Sequence, residues 1–184
     1  MRLRKLGDEL GDGLVIEERA FPLRPAPEPG VSFRGTYREA GWKRCGDMAR
    51  DDGITFTPWP HPAMPGWSLP ALEAAKCVAK QGDAAFRGLH LALFRAYFTD
   101  SRNIGDPNEV IRIVGERGDV DLDRFVADYR SGIGREAVVA DYEAAVNEHG
   151  VRSIPTVIVP ATERYLVGLA DLETYRGAID EARR

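Results

Sequence analysis

The sequence predicts an α/β fold in which a block of helices interrupts a small sheet. Residues 69–149 show helical periodicity with little interruption, and residues 172–182 return to it. Residues 14–21 and 156–167 instead show the short apolar runs that are typical of strands. The resulting order of helix, strand, helical block, two strands and helix is that of an α/β domain with a helical insertion.

The N-terminal third alternates between short elements and proline-rich connectors. Residues 1–10 predict a short helix, and the run from Leu14 to Phe21 predicts a strand that Pro22 ends. A second helix is expected over 37–51, with Cys45 on its inner face. Thr36 and Glu39 match a capping box at its start, while residues 54–67 read as an extended surface segment.

The helical block divides at turn and capping signals. Two amphipathic helices are expected over 70–81 and 84–98, with His90 at the edge of the core rather than serving as a ligand. Asp106 predicts the cap of a helix through Glu116, with Glu109 as its capping-box glutamate. Two more helices follow in this interpretation, one from the Asp121 cap through Tyr129 and one over 133–149, where Gly150 ends it.

The C-terminal segment changes from helical to strand periodicity. Thr156 to Val159 predicts a buried strand, and Arg164 to Val167 predicts its antiparallel return after a four-residue loop. A closing helix is expected over 172–182 with Asp171 as its cap.

Composition limits the classes of function. The chain has 184 residues, of which 43% are hydrophobic and 29% charged, so it can bury the core of one domain. Its net charge of -4, without a clustered basic patch, argues against a nucleic-acid partner. No apolar run reaches membrane-spanning length, so we expect a cytoplasmic protein with no membrane partner.

The cysteines and histidines give no sign of a disulfide framework or a metal site. Cys45 and Cys77 are far apart in sequence and do not form a C-x-x-C pair. Each is interpreted as a small buried hydrophobic residue rather than a reactive thiol. The three histidines are also far apart, so no metal ligands are assigned.

Several segments resemble the DsbA family of thioredoxin-like proteins. The string from His149 to Val159, HGVRSIPTVIV, resembles the family's G-V-x-x-x-P-T segment. Leu14 to Pro25 is similar to the second strand and its connector, and Leu91 to Pro107 to the insertion of the FrnE-like branch. Tyr165 to Ile179 is similar to the last strand and closing helix. By this resemblance the chain is identified as a member of that family, over most of residues 14–180.

The resemblance implies a fold and a site. It implies one thioredoxin-like domain over 1–184, with a helical insertion over about 69–149 that forms a lid over one end of the sheet. The thioredoxin-type parts would be about 1–60 and 150–184. Pro155 would follow a cis peptide bond, and Ser153, Ile154, Pro155 and Thr156 would bind substrate. The family exchanges disulfides with protein or small-thiol substrates through this edge and needs no cofactor for it.

The family's C-x-x-C is not found within the chain. Residues 1–6 resemble the middle of the helix that follows this motif, so the resemblance places the central first strand and the dithiol upstream of Met1, and no catalytic residue within the chain. Without that strand, the strands at 14–20 and 156–159 would each keep a row of unpaired backbone groups. We therefore expect the monomer to be unstable unless another segment fills the gap. The sequence leaves open whether the protein forms a homodimer.

Three alternatives to the oxidoreductase remain at this point. One is a glutathione-dependent enzyme related to kappa-class transferases and chromene-carboxylate isomerases, which share the scaffold but use a serine near the first helix. Another is a redox-inactive module that captures peptides by strand addition at Ile154 and Pro155. The last is a helical-insertion domain without an active groove. Residues upstream of Met1 would distinguish the first of these from the oxidoreductase.

Overall fold

The computed structural model describes residues 1–184, which form two compact units. Residues 1–21 and 143–184 make the first unit, here called the sheet unit. Residues 22–142 make the second, the helical unit. None of the helices is both long and apolar enough to cross a membrane.

The sheet unit contains a two-stranded sheet and the terminal helices. Its elements are α1 (Arg2–Leu10), β1 (Thr156–Val159), β2 (Arg164–Val167) and α8 (Leu172–Ala182). Their core is formed by the buried side chains of Leu6, Tyr175 and Ile179, against which Val157 and Leu166 pack. The apolar face of each terminal helix is therefore covered by the hairpin and by the other helix.

The hairpin has the bounds and direction that the sequence predicts. β1 and β2 are antiparallel, with Thr156 opposite Val167 and Val159 opposite Arg164. The loop between them is a 3₁₀ turn over Pro160–Thr162, followed by Glu163 at a left-handed φ of 51°. α8 also begins at the predicted cap, because the Asp171 side chain accepts a hydrogen bond from the Thr174 backbone N–H at 2.7 Å.

The predicted strand from Leu14 to Phe21 is wrong as a strand. The segment is without regular secondary structure, although Leu14 has the extended dihedral angles φ −142° and ψ 117°. A strand exists only where its backbone groups pair with a neighbour, and β1 and β2 form the whole sheet. The apolar pattern therefore does not lead to a paired strand in this segment.

The helical unit contains the remaining helices. They are α2 (Tyr37–Met48), α3 (Leu69–Ala79), α4 (Asp83–Phe98), α5 (Pro107–Gly115), α6 (Leu122–Ser131) and α7 (Ile133–Glu143). α7 reaches the edge of this unit, and a π-helical turn, Ala144–Glu148, continues it. The unit begins at Pro22 and so includes α2 and both proline-rich connectors. How the helical block lies against the sheet stays a prediction.

Two apolar clusters stabilise the helical unit. The first joins α3, α4, α5 and α6 through fully buried side chains such as Val78, Leu89, Val110 and Phe125. The second is aromatic: Phe33, Trp42 and Trp59 form its centre. The segment 54–67 has no regular structure, as predicted. It does not lie entirely on the surface, however, because Trp59 is only 6% exposed.

The expectation that Cys45 lies on the inner face of α2 is wrong. Cys45 is exposed, and Trp42 is the residue of this helix that is buried. The apolar residues at 37, 41, 45 and 48 do follow helical spacing. The larger apolar surface of the indole is more favourable to bury, however, and it directs a neighbouring side of the helix inward.

Glu109 does not act as the predicted capping-box glutamate. Asp106 caps α5 as expected, accepting from the Asn108 backbone N–H at 2.9 Å. The Glu109 carboxylate instead pairs with Arg102, Nε to Oε1 2.5 Å, and with Arg112. Arg102 is also bidentate with Glu116, so the loop before α5 is tied to both ends of that helix.

Candidate substrate-binding edge

The segment before β1 leaves the core and becomes exposed over a few residues. Gly150 has a left-handed φ of 62°, and Val151 is then buried, with its N–H donating to the Ala145 carbonyl at 2.8 Å. The four residues 152–155 are exposed, and the Ile154–Pro155 peptide bond is cis. The turn therefore presents the start of β1 to solvent in the sheet unit.

One edge of β1 pairs with β2 and the other does not. The Gly168 N–H donates to the Pro155 carbonyl at 2.8 Å, so Pro155 directs its carbonyl toward β2. Backbone groups alternate along a strand, so Val157 and Val159 also face β2. Thr156 and Ile158 consequently direct their backbone groups to the other side, where the sheet has no further strand. This side, together with Ile154 before the cis bond, is here called the free edge.

Ile154 is the most accessible residue of the free edge. Its side chain is 42% exposed, and its backbone N–H and C=O form no hydrogen bond within the chain. The Thr156 hydroxyl donates to the Ser153 carbonyl at 2.7 Å, which holds the turn around Ile154 in place. An extended peptide can therefore pair with Ile154 as an additional strand without displacing an existing bond.

The four residues assigned to substrate binding lie in one continuous stretch. Ile154 offers the backbone donor and acceptor, Pro155 joins the edge to β1, and Ser153 and Thr156 bond to each other. Sequence reasoning missed Ile158, which lies on the same edge by alternation. Counting every second residue along the predicted strand from Thr156 would have found it.

The two cysteines provide no dithiol. Both are free, and both lie in the helical unit, Cys45 on α2 and Cys77 on α3. Burial raises the pKa of the Cys77 thiol to about 11, and the negative charge of Asp128 adds to this. Since the thiolate is the nucleophile in disulfide exchange, burial and the raised pKa both disfavour reaction of Cys77 in the folded chain. The prediction that Cys77 is buried is confirmed.

The structure brings together no group of three or more histidine, cysteine or acidic side chains that would hold a metal ion. His90, which the sequence places at the edge of the core, is half-buried. Its ring lies between Phe86, at 5.6 Å between ring centroids, and Phe94, at 5.0 Å. This residue therefore packs within an aromatic row on α4.

Comparison with known proteins adds to this geometry. A family model described as a DSBA-like thioredoxin domain matches residues 2–180. The structure is similar to the crystal structure of a Nitrosomonas europaea protein provisionally described as a protein disulfide isomerase. The TM-score is 0.72 at 15% sequence identity, covering 98% of this chain and 87% of the other. No curated protein matches the sequence significantly.

Proposed function

Because the chain belongs to the DSBA-like thioredoxin domain family, we propose that it is the scaffold of a thiol–disulfide oxidoreductase of the FrnE type. In this proposal the redox dithiol is contributed by a strand and helix turn outside residues 1–184. The substrates are protein or small-thiol disulfides, and the protein works in the cytoplasm. The free edge of β1 is the observation that carries the proposal.

The free edge has two partners in this proposal. The strand that carries the dithiol pairs with Thr156 and Ile158, which restores the central position of the sheet. A substrate peptide pairs with Ile154, whose backbone groups are unbonded and exposed. A short extended peptide held there would bring its disulfide to the end of the dithiol strand, as strand addition fixes both direction and register.

The chemistry needs a thiolate and a resolving sulfur. An attacking thiolate at a helix N-terminus has a lowered pKa, forms a mixed disulfide with the substrate and releases one substrate thiol. The second cysteine of the pair then displaces the remaining substrate sulfur and leaves the protein disulfide. Neither Cys45 nor Cys77 has a second cysteine beside it to complete this step.

The test is an insulin-reduction assay with dithiothreitol, in which precipitation of the reduced insulin chain is followed by turbidity. We expect the 184-residue chain to precipitate insulin no faster than dithiothreitol alone. A version extended at its N-terminus by the residues its gene encodes there is expected to carry a C-x-x-C and to be active. The matched control is the same extended version with both cysteines of the motif changed to serine.

Two outcomes would contradict the proposal as stated, the first for the source of the nucleophile and the second for the redox chemistry itself. Activity of the short chain that is lost on Cys45→Ser would make Cys45 the nucleophile. An extended chain with no cysteine pair and no activity would remove the redox chemistry.

The free edge itself favours the second candidate function, a redox-inactive module that binds extended peptides. A serine pair upstream, with glutathione turnover, would instead indicate the glutathione-dependent alternative.

A further inference from the structure

Arg152 lies two residues before Ile154, the residue whose backbone groups are free to pair with a peptide. Residues 152–155 are exposed and without regular secondary structure. Because a chain spans at most about 3.6 Å per residue, the Cα atoms of Arg152 and Ile154 are no more than about 7 Å apart. The long arginine side chain can therefore reach a peptide that is bound at Ile154.

The Arg152 side chain forms no ion pair and no hydrogen bond within the chain. Two other arginines of the sheet unit do have acidic partners. Arg164 on β2 pairs with Glu181 at 2.9 Å, and Arg176 on α8 pairs with Glu9 at 2.6 Å. The guanidinium group of Arg152 is exposed and has all of its donors free, so it is available to a binding partner.

The segment that forms the free edge contains no acidic residue. Arg152 is the only lysine, arginine, aspartate or glutamate between Glu148 and Glu163, and neither glutamate pairs with it. Asp171, which follows β2, accepts a hydrogen bond from the Thr174 backbone N–H instead. The whole chain has a net charge of -4, so this segment is a positively charged spot on a negatively charged molecule. It is complementary to an acidic partner.

Pairing at Ile154 alone does not distinguish one peptide from another. Its N–H and C=O bond to the backbone of any extended peptide, so selection depends on side chains. The Ile154 side chain is half-exposed and offers an apolar contact. Alternate residues of an extended peptide are about 7 Å apart and lie on one face. In either strand direction, a peptide residue two positions from the one opposite Ile154 therefore comes near Arg152.

From these features we propose that Arg152 determines substrate specificity, selecting extended peptides with an acidic side chain two residues from the one that pairs with Ile154. The guanidinium group donates to the peptide carboxylate, and such a charge-assisted hydrogen bond is stronger than one between neutral groups. A lysine at the same peptide position is repelled. This inference rests on the proposed function, because it requires that substrate pairs with the free edge.

The experiment is a titration of the 184-residue chain with three synthetic peptides, followed by nuclear magnetic resonance at the Ile154 amide. Each peptide has seven residues, capped ends, a central valine and no cysteine. The second and sixth residues are both glutamate in one peptide, both glutamine in another and both lysine in the third. Placing the charge on both sides of the valine makes the result independent of strand direction, and the absence of cysteine makes it independent of redox chemistry.

We expect the glutamate peptide to bind about threefold more tightly than the glutamine peptide and about tenfold more tightly than the lysine peptide, the size expected for exposed charges. Added salt should reduce the difference by screening. Arg152→Gln should bind all three peptides alike, and Arg152→Glu should reverse their order. Arg44→Glu is the matched control: it changes the net charge equally at an exposed residue of α2 without an ion pair, and should keep the parent order.

Equal binding of the glutamate and lysine peptides to the parent chain would overturn the inference and leave the proposed function intact. An Arg152→Glu chain that keeps the parent order would do the same, since a merely structural role of Arg152 predicts no reversal. The amide spectrum of each variant checks that it remains folded. If none of the peptides shifted the Ile154 amide, the pairing of substrate at the free edge would be wrong, and this inference with it.

Discussion

At the residue scale, the two cysteines differ in accessibility and in acidity. Cys45 is exposed on α2, whereas Cys77 is completely buried and its pKa is raised to about 11. Burial therefore disfavours the Cys77 thiolate, which is the form that reacts. We expect dithionitrobenzoate to modify Cys45 rapidly in the native chain and Cys77 only after unfolding in guanidinium.

Cys45→Ser and Cys77→Ser serve as each other's controls in this measurement. The native Cys77→Ser chain should still release one equivalent of thionitrobenzoate, and the native Cys45→Ser chain almost none. Fast reaction of the native Cys45→Ser chain would show that Cys77 is accessible. That result would contradict the close packing of Cys77 against Gly134, where an added Cβ atom would lie 2.8 Å from the Cys77 sulfur.

Trp42 is the central residue of the aromatic cluster. Its ring centroid lies 5.7 Å from that of Phe33 and 5.3 Å from that of Tyr97, and its indole N–H donates to the Thr57 carbonyl at 2.9 Å. Trp42→Ala should lower the free energy of unfolding by about 3–5 kcal/mol, as expected for a large buried aromatic.

Tyr37 on the same helix is the matched control for that measurement. It is 76% exposed, so Tyr37→Ala should change the free energy of unfolding by no more than about 0.5 kcal/mol. Urea unfolding followed by circular dichroism measures both values. A Trp42→Ala chain as stable as the Tyr37→Ala chain would show that the cluster contributes little to the fold.

At the scale of elements, the ion pairs around α5 make stability depend on pH. Hydrogen bonds from Arg102 and Arg112 lower the pKa of Glu109, and those from Arg102 lower the pKa of Glu116. A carboxyl whose pKa is lower in the folded chain stabilises it above the ordinary value of 4.5. That contribution is lost as the pH falls through the lowered pKa.

Glu109→Gln should remove part of this dependence. Relative to the parent chain, we expect the variant to be less stable at about pH 6 and the difference to shrink as the pH falls toward about 3. Urea unfolding at a series of pH values measures it. Glu136→Gln, an exposed change without an ion pair at its position, should keep the parent profile. A constant difference at every pH would show that the loss at Glu109 is not electrostatic.

The elements that local signals determine could be predicted from the sequence. β1, β2 and α8 have the predicted bounds, because β-branched runs, a short loop and the Asp171 cap lie within a few residues of each other. The run from Leu14 to Phe21 has equally strong apolar residues but forms no strand. Its ladder depends on a distant partner, and no local pattern reports whether that partner is present.

Side-chain direction was harder to predict than helix position. The capping box correctly indicated the start of α2, yet the helix has Cys45 outside and Trp42 inside. Likewise, Glu109 is three residues beyond its cap, as a capping box requires, but Arg102 competes for its carboxylate from the preceding loop. Such choices depend on neighbours that only the tertiary structure brings together. At the site, the position of Ser153, Ile154 and Pro155 directly before β1 was predictable from the sequence, whereas the unpaired state of Ile158 required the strand register.

At the scale of the whole molecule, the chain belongs to the DSBA-like thioredoxin domain family and divides into two units that contribute differently. The helical unit has its own apolar clusters and a cavity. The sheet unit has a small core around Leu6 and a sheet with an unpaired edge. The proposed function requires that this edge pairs with the strand that carries the dithiol.

The most direct test is hydrogen exchange of the β1 backbone amides, resolved by nuclear magnetic resonance, in the 184-residue chain and in the N-terminally extended chain. In the short chain we expect slow exchange at Val157 and Val159, which bond to β2, and fast exchange at Thr156 and Ile158. In the extended chain the amides of Thr156 and Ile158 should become protected, while that of Ile154 should slow only when a substrate peptide is added. Unchanged exchange at Thr156 and Ile158 on extension would contradict the proposal that the free edge receives the dithiol strand.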